Sequence, residues 1–117
     1  MKIVIAGSRD GILYSDVVEA MENCGWTPTE VVSGMARGVD SLGELWAKRN
    51  NIPIKQFPAD WKKLGRQAGY RRNEQMGDYA DALVAVWDGS SRGTKHMIDY
   101  ATEKGLKVYV HTVNIVI

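Results

Sequence analysis

The fold is decided by residues 2–11, KIVIAGSRDG. Residues 2–6 form a short run rich in β-branched and apolar side chains, and residues 7–11 are small, polar and rich in glycine. A strand buried on both faces has such a continuous apolar pattern, whereas a half-exposed strand alternates between apolar and polar residues. The stretch therefore predicts a central strand of a parallel sheet, followed by a strand-to-helix loop.

The rest of the chain repeats this order of strand, loop and helix. Further strands are predicted at residues 30–33, 53–57, 81–87 and 106–110, and helices at residues 13–24, 39–50, 70–79 and 94–104. Residues 59–69 lack clean periodicity and are predicted to form an irregular, mobile loop. Strands that alternate with helices predict an α/β protein, a Rossmann-like three-layer sandwich with a mainly parallel sheet of about five strands.

The length and composition suit one folded unit. The chain has 117 residues, of which 44% are hydrophobic and 25% are charged, close to the averages of globular domains. We therefore expect a single Rossmann-like domain over residues 1–117. The β-rich tail, residues 112–117, is expected to pair either at an edge of the sheet or with a second copy of the chain.

Charge and cysteine usage narrow the classes of partner. The net charge of +1 argues against binding of nucleic acid through overall charge. Binding through a local basic pocket remains an alternative. The lone Cys24 has no partner for an internal disulfide, and residues 1–6 run directly into Gly7 without the apolar region of a signal peptide. We expect a cytoplasmic protein, in a bacterial cell or a phage-infected host, with no membrane partner.

Three predicted strand-to-helix loops share one chemistry. They are residues 7–11, GSRDG, residues 33–40, SGMARGVD, and residues 88–95, DGSSRGTK. In an open parallel sheet these loops meet beyond the carboxyl ends of the strands, together with the N-termini of the following helices. Glycine allows close approach of the backbone, and arginine offers a fork of donors that fits phosphate. The loops therefore predict a cradle for an anion.

The helix predicted at residues 70–79 adds a fourth element. Two arginines in its first turn oppose the helix dipole, which is unfavourable unless an anion or a carboxylate is near. The alternative interpretation of all four elements is purely structural: the glycines form turns and the arginines are solvated. The candidate ligand-binding residues are Gly7, Ser8, Arg9, Ser33, Gly34, Arg37, Gly38, Arg71, Arg72, Asn73, Asp88, Gly89, Ser91, Arg92, Gly93, Thr94 and Lys95.

Several common kinds of site are not indicated. The chain contains neither a Walker A motif nor the Gly-x-Gly-x-x-Gly fingerprint, which weakens ATPase and dehydrogenase interpretations. No metal is expected, because His96 has no cysteine or histidine at ligand spacing, and no cofactor is expected. Either Trp61 or Tyr70 is a candidate for stacking on the base of a nucleotide.

Four motifs together resemble a known family. They are AGSR at residues 6–9, SGMARGVD at 33–40, YRRNEQM at 70–76 and WDGSSRGT at 87–94, and they are similar to the YspA-like branch of the SLOG superfamily. The superfamily includes the Lonely Guy phosphoribohydrolases, which cleave the base from a nucleoside 5′-monophosphate, and the DNA-processing protein A family. The resemblance implies a Rossmann-like fold, frequent homodimers, and a site for nucleotides or nucleotide-derived signals.

Three functions stay open. The first is a sensor or binding module for a nucleotide or a nucleotide-derived ligand, and the second is an N-glycosidase that acts on nucleoside 5′-monophosphates. A DNA-binding accessory protein is the third, suggested by the basic residues of segment 62–72.

The N-glycosidase would need groups that stabilise charge on the sugar. The resemblance to the phosphoribohydrolases implies an arginine, Arg71 or Arg72, and a glutamate after the glycine loop. Here residues 95–97 are Lys-His-Met, so that glutamate is missing. The carboxylates that remain for a hydrolase are Asp40, Asp88 and Asp99.

Overall fold

The structure, a computed structural model, describes residues 1–113. It contains one sheet of five strands, in which all neighbouring strands are parallel and the order is β3-β2-β1-β4-β5. The strands are β1 (Lys2–Gly7), β2 (Glu30–Ser33), β3 (Ile54–Gln56), β4 (Ala82–Trp87) and β5 (Lys107–Thr112). The predicted α/β class and parallel five-stranded sheet are confirmed.

Helices cover both faces of this sheet. Successive side chains of β1 point to opposite faces: Ile3 and Ile5 join the core formed with α1 and α2, and Val4 joins the core formed with α4 and α5. This burial on two sides explains the continuous apolar run of β1. The helices are α1 (Tyr14–Asn23), α2 (Val39–Arg49), α3 (Trp61–Leu64), α4 (Ala68–Tyr79) and α5 (Arg92–Glu103).

The prediction of an irregular loop over residues 59–69 is wrong. The carboxylate of Asp60 accepts a hydrogen bond from the backbone N–H of Lys63 at 3.1 Å and caps the short helix α3. A 3-10 turn, Gly65–Gln67, leads directly into α4, which begins at Ala68. The residues from 61 to 67 are all exposed, so the segment has no apolar periodicity that would mark it in the sequence.

The end of the chain differs in part from expectation. β5 extends to Thr112, two residues beyond the predicted strand, and Thr112 is in register with Trp87 of β4. The predicted pairing of the tail falls mainly on residues 114–117, which lie outside the described residues. None of the helices within residues 1–113 is long and apolar enough to cross a membrane.

Candidate ligand-binding cleft

A cleft opens where the strand order changes direction. The chain runs from β1 outward to β2 and β3, whereas β4 and β5 lie on the other side of β1, so the loops after β1 and β4 diverge. Ligands of open α/β sheets bind at this position. The cleft has a volume of about 360 Å³. Eight of the residues proposed from the sequence line it: Gly7, Arg9, Asp40, Arg72, Asn73, Ser91, Gly93 and Thr94.

Ser8 holds the surrounding loops together. Its side chain is fully buried, and its hydroxyl accepts a hydrogen bond from the backbone N–H of Asp88 at 3.0 Å. Its carbonyl accepts from the N–H of Val39, at the start of α2. Gly38 has a φ of +78°, and a Cβ on it would lie 2.5 Å from the carbonyl oxygen of Ser8. The loops after β1, β2 and β4 are therefore in direct contact.

The first turn of α5 forms one wall of the cleft. Gly93 and Thr94 lie in this turn, where backbone N–H groups have no acceptor within the helix and the helix dipole favours an anion. Apart from its chain neighbours and the backbone of its own helix, no described atom lies within 4 Å of the position that a Cβ on Gly93 would take. The hydroxyls of Ser91 and Thr94 lie 3.2 Å apart. This wall offers donors and open space to a bound group.

The carboxylate of Asp88 shapes the loop before α5. It accepts hydrogen bonds from the backbone N–H groups of Ser90 and Ser91, each at 2.8 Å. These bonds lower the pKa of Asp88 below its usual value. Asp88 is outside the residues that line the cleft, and its role in the structure is to hold the turn that presents Ser91 and Gly93.

Asp40 is a buried carboxylate in the cleft wall. Only 4% of its surface is exposed, and this burial raises its pKa to about 6. The backbone N–H of Ala36 donates to its Oδ2 at 3.2 Å, and the charges of Arg72 and Arg9 also favour the ionised form, while Glu44 opposes it. Burial outweighs these favourable contacts, so the carboxyl group titrates close to neutral pH.

Arg72 lies near the same carboxylate, and its charge favours the ionised form of Asp40. Its guanidinium donates to the carbonyl oxygen of Gly34, and its Nε donates to the side-chain oxygen of Asn73 at 3.3 Å. A Cβ on Gly34 would lie 2.7 Å from Asp40 Oδ2 and 2.9 Å from Arg72 Cδ, so glycine is needed for both side chains to fit. Burial lowers the pKa of Arg72, although a guanidinium stays charged at neutral pH.

The two adjacent arginines of α4 have different positions. Arg72 is buried and lines the cleft, whereas the side chain of Arg71 is largely exposed and lies 3.7 Å from Glu74 in an ion pair. The structure therefore decides between the two alternatives left open by the sequence, because only Arg72 of this pair faces the site.

Aromatic side chains form the rim. Trp61 of α3 and Tyr70 of α4 both line the cleft and are about half exposed, at 52% and 43%. The ring of Tyr70 packs edge-on against the ring of His96, with 4.6 Å between their centres. Asn73 Nδ2 lies 3.3 Å from His96 Nδ1 and donates to the carbonyl oxygen of Gly93. The rim is thus tied to the first turn of α5.

Other residues proposed from the sequence lie outside the cleft. The hydroxyl of Ser33 donates to Glu44 at 2.6 Å, and Lys95 forms an ion pair with Asp99 at 2.9 Å on the exposed side of α5. Arg37 pairs with Asp10 at 3.2 Å on the surface. The further residues that do not line the cleft are Ser8, Gly34, Gly38, Arg71, Asp88, Gly89 and Arg92.

Five lining residues were not proposed as ligand-binding from the sequence or noted as stacking candidates. They are Ala6, Ala36, Arg66, Gly69 and Met97. The small residues and the methionine look like ordinary core or turn residues in the sequence, and only their position at the sheet edge brings them to the cleft. Arg66 belongs to the basic segment after Trp61, which was the available signal.

Within residues 1–113, one group of side chains has the spacing that could hold a metal ion. Ligand atoms of Asp16, Glu19 and His111 lie within 4.8 Å of one another, on α1 and β5. Asp16 Oδ2 already accepts the backbone N–H of Leu13, and none of the three residues lines the cleft.

The five-stranded parallel sheet with helices on both faces defines a Rossmann-like α/β protein. Residues 1–64 match the YspA, cpYpsA-related SLOG family, and the chain belongs to that family. This membership is consistent with a role in binding or modifying a nucleotide-related ligand.

Two relatives come from phage and prophage. The chain is 36% identical over 84 residues to the Gene 61 protein of Mycobacterium phage D29, a match that covers 67% of each chain. It is 52% identical over 31 residues to the "Uncharacterized SPbeta prophage-derived protein YoqJ" of Bacillus subtilis (strain 168), covering 26% of this chain and 18% of that relative. No solved structure matches the chain.

Proposed function

We propose that the protein binds a nucleotide or a nucleotide-derived ligand in the cleft, as a sensor or binding module. The observation that carries this proposal is the composition of the cleft, in which the first turn of α5, three arginines and two exposed aromatic rings line one cavity. The first turn of α5 and the arginines suit the phosphate, and the aromatic rings suit the base.

The phosphate would be held by α5 and by arginine. Gly93 leaves room for a phosphate to approach the backbone, and the N–H groups of the first turn with the hydroxyl of Ser91 supply donors. Arg72 and Arg9 add charge-assisted hydrogen bonds, which are stronger than neutral ones. A monoanion or dianion in this position also compensates the positive charges of the buried Arg72 and the exposed Arg9.

The base would lie at the rim. Trp61 and Tyr70 present exposed aromatic surface to the cleft, and stacking of a base on such a ring contributes about 1 to 3 kcal/mol. The contact of Tyr70 with His96 orders its ring before a ligand arrives, which reduces the entropy lost on binding.

Asp40 supports a second candidate function, an N-glycosidase for nucleoside 5′-monophosphates. Among the three carboxylates proposed from the sequence, only Asp40 lines the cleft. In this reaction the bond between C1′ and the base nitrogen breaks, water adds to C1′, and the base leaves with a proton. The ionised carboxylate of Asp40 would stabilise the positive charge that develops on the sugar.

The test separates binding from hydrolysis. Purified protein is incubated with nucleoside monophosphates, cyclic nucleotides and ADP-ribose, and chromatography is applied to the solution and to ligand released on denaturation. We expect an unaltered nucleotide to be recovered with the wild-type protein and with Arg92→Met, but not with Arg9→Met. Both arginines are exposed, and only Arg9 lines the cleft.

Other outcomes lead to other conclusions. Free base that accumulates with the wild-type protein and with Asp99→Asn, but not with Asp40→Asn, would establish the N-glycosidase. Failure of every nucleotide to be retained, together with the absence of a thermal shift at millimolar concentration, would refute the proposed function, since bound ligand must stabilise the fold.

A further inference from the structure

A second cavity adjoins the cleft. This outer compartment has a volume of about 480 Å³ and shares Arg9, Ala36, Trp61 and Arg72 with the cleft, which is the inner compartment. Its own lining comes from the loop after β2 and the segment after β3, including Met35, Arg37, Pro58 and Ala59. The site therefore consists of two compartments that meet at two arginines and one indole.

The charges are concentrated at the junction. Arg9 and Arg72 line both compartments, whereas Arg66 lines only the inner one and Arg37 only the outer one. An anionic group is therefore most strongly stabilised between the compartments, with less charged parts of the ligand on either side. A ligand that ended at its phosphate would leave the outer compartment empty.

The backbone conformation of Met35 is an independent indication that the outer compartment binds part of a ligand. It has a φ of +62°, in the left-handed region that non-glycine residues rarely occupy, and the residue is 48% exposed. Strained backbone of this kind occurs preferentially at ligand clamps. The strain places an apolar thioether in the same compartment as Pro58 and Trp61, where it forms part of an apolar contact surface.

We propose that the outer compartment binds the second half of the ligand, so that the preferred ligand is a nucleoside diphosphate that carries a sugar or a second nucleoside on its terminal phosphate. The inference rests on the proposed function of the cleft. The nucleoside occupies the inner compartment, the diphosphate lies between the first turn of α5 and the pair Arg9 and Arg72, and the second group contacts Met35 and Pro58.

The test compares ligands of increasing length. Dissociation constants are measured by calorimetry for AMP, ADP and ADP-ribose, and for GMP, GDP and GDP-mannose, with the wild-type protein, Met35→Gly and Leu13→Ala. Glycine adopts the backbone angle of Met35 without strain, so Met35→Gly keeps its Tm or gains stability. Leu13 is an exposed apolar residue outside both compartments and serves as the control.

The expected result is a selective loss. In one of the two series, the longest ligand binds the wild-type protein and Leu13→Ala at least tenfold more tightly than the monophosphate. In Met35→Gly this ratio falls below threefold, while the affinity for the monophosphate is unchanged.

Two results would overturn the inference alone. In the first, a monophosphate binds and the longer ligands bind no more tightly. In the second, the longer ligands gain affinity equally in Met35→Gly and in the wild-type protein. If no ligand of either series binds, the proposed function itself fails.

Discussion

At the scale of single residues, Asp40 links stability to pH. Its pKa is about 6 in the folded protein and near 3.8 in the unfolded chain, so the folded state binds a proton more tightly between these values. The contribution of Asp40 to stability is then greatest below pH 4 and is lost as the pH rises through 6. We expect the free energy of unfolding to drop by about 2 to 3 kcal/mol over this window, as measured by urea denaturation at a series of pH values.

The control for this effect is a pair of variants. Asp40→Asn should lose the drop between pH 4 and 6, whereas Asp99→Asn, at an exposed carboxylate, should keep it. Asp78 and Asp88 have lowered pKa values, so their contributions have the opposite sign and are lost as the pH falls, mainly below pH 4, with an overlap only at the lower end of this window. A drop that persists in Asp40→Asn would contradict the assignment.

At two glycines of the cleft, substitution by alanine is expected to have opposite effects on stability. A Cβ on Gly93 meets no described atom within 4 Å other than those of its chain neighbours and its own helix backbone, so Gly93→Ala should gain up to about 1 kcal/mol of stability from helix propensity. Its methyl group would occupy the space for the phosphate, and ligand affinity should fall at least tenfold.

A Cβ on Gly7 would overlap the carbonyl oxygen of Val86, so Gly7→Ala should lose about 3 kcal/mol or more of stability. Thermal unfolding and calorimetry measure both variants; a Gly93→Ala protein that binds normally would remove α5 from the phosphate site.

At the scale of elements, one hydroxyl connects the loops after β1 and β4. Ser8→Ala removes the acceptor of the Asp88 N–H, and loss of a partner from a buried or partly buried group costs about 1 to 3 kcal/mol. We expect this loss in chemical denaturation, together with weaker ligand binding, because the turn before α5 loses its support. Ser90→Ala, at an exposed serine of the same turn, should change stability by less than about 0.5 kcal/mol. Equal stabilities of the two variants would show that the loops are held by other contacts.

The sequence predicts elements well where burial imposes a pattern. β1 is apolar from Ile3 to Ala6 and β4 is apolar throughout, because both of their faces are covered, and β2 is predicted with its exact bounds. α3 is missed because it buries no residue and depends on the local cap at Asp60. Arg9 and Gly93 are predicted from loop chemistry, whereas the choice of Arg72 over Arg71 depends on the rotation of α4 against the sheet, which no local pattern contains.

At the scale of the whole molecule, the distribution of charge bears on the third function, DNA binding. The net charge is +1, and acidic partners neutralise part of the basic surface, as in the pairs of Arg71 with Glu74 and of Lys95 with Asp99. The exposed Lys62 and Lys63 lie on α3, next to the rim of the cleft. The positive potential is therefore local, and it suits one small anion better than an extended phosphate backbone.

This distribution predicts a weak dependence of DNA binding on salt. For single strands, the logarithm of the binding constant falls with the logarithm of the salt concentration with a slope of about −0.7 for each phosphate neutralised. We expect a slope no steeper than about −2 for a 20-nucleotide single strand, measured by fluorescence anisotropy from 50 to 300 mM salt, since about three cations lie together at the rim. A steeper slope that is reduced in Lys62→Ala/Lys63→Ala, but not by a saturating nucleotide, would mean that DNA follows a surface separate from the cleft. Displacement of the strand by the nucleotide would instead mean that the DNA binds through a terminal phosphate in the same cleft, and the charge of the whole molecule would then play no part in recognition.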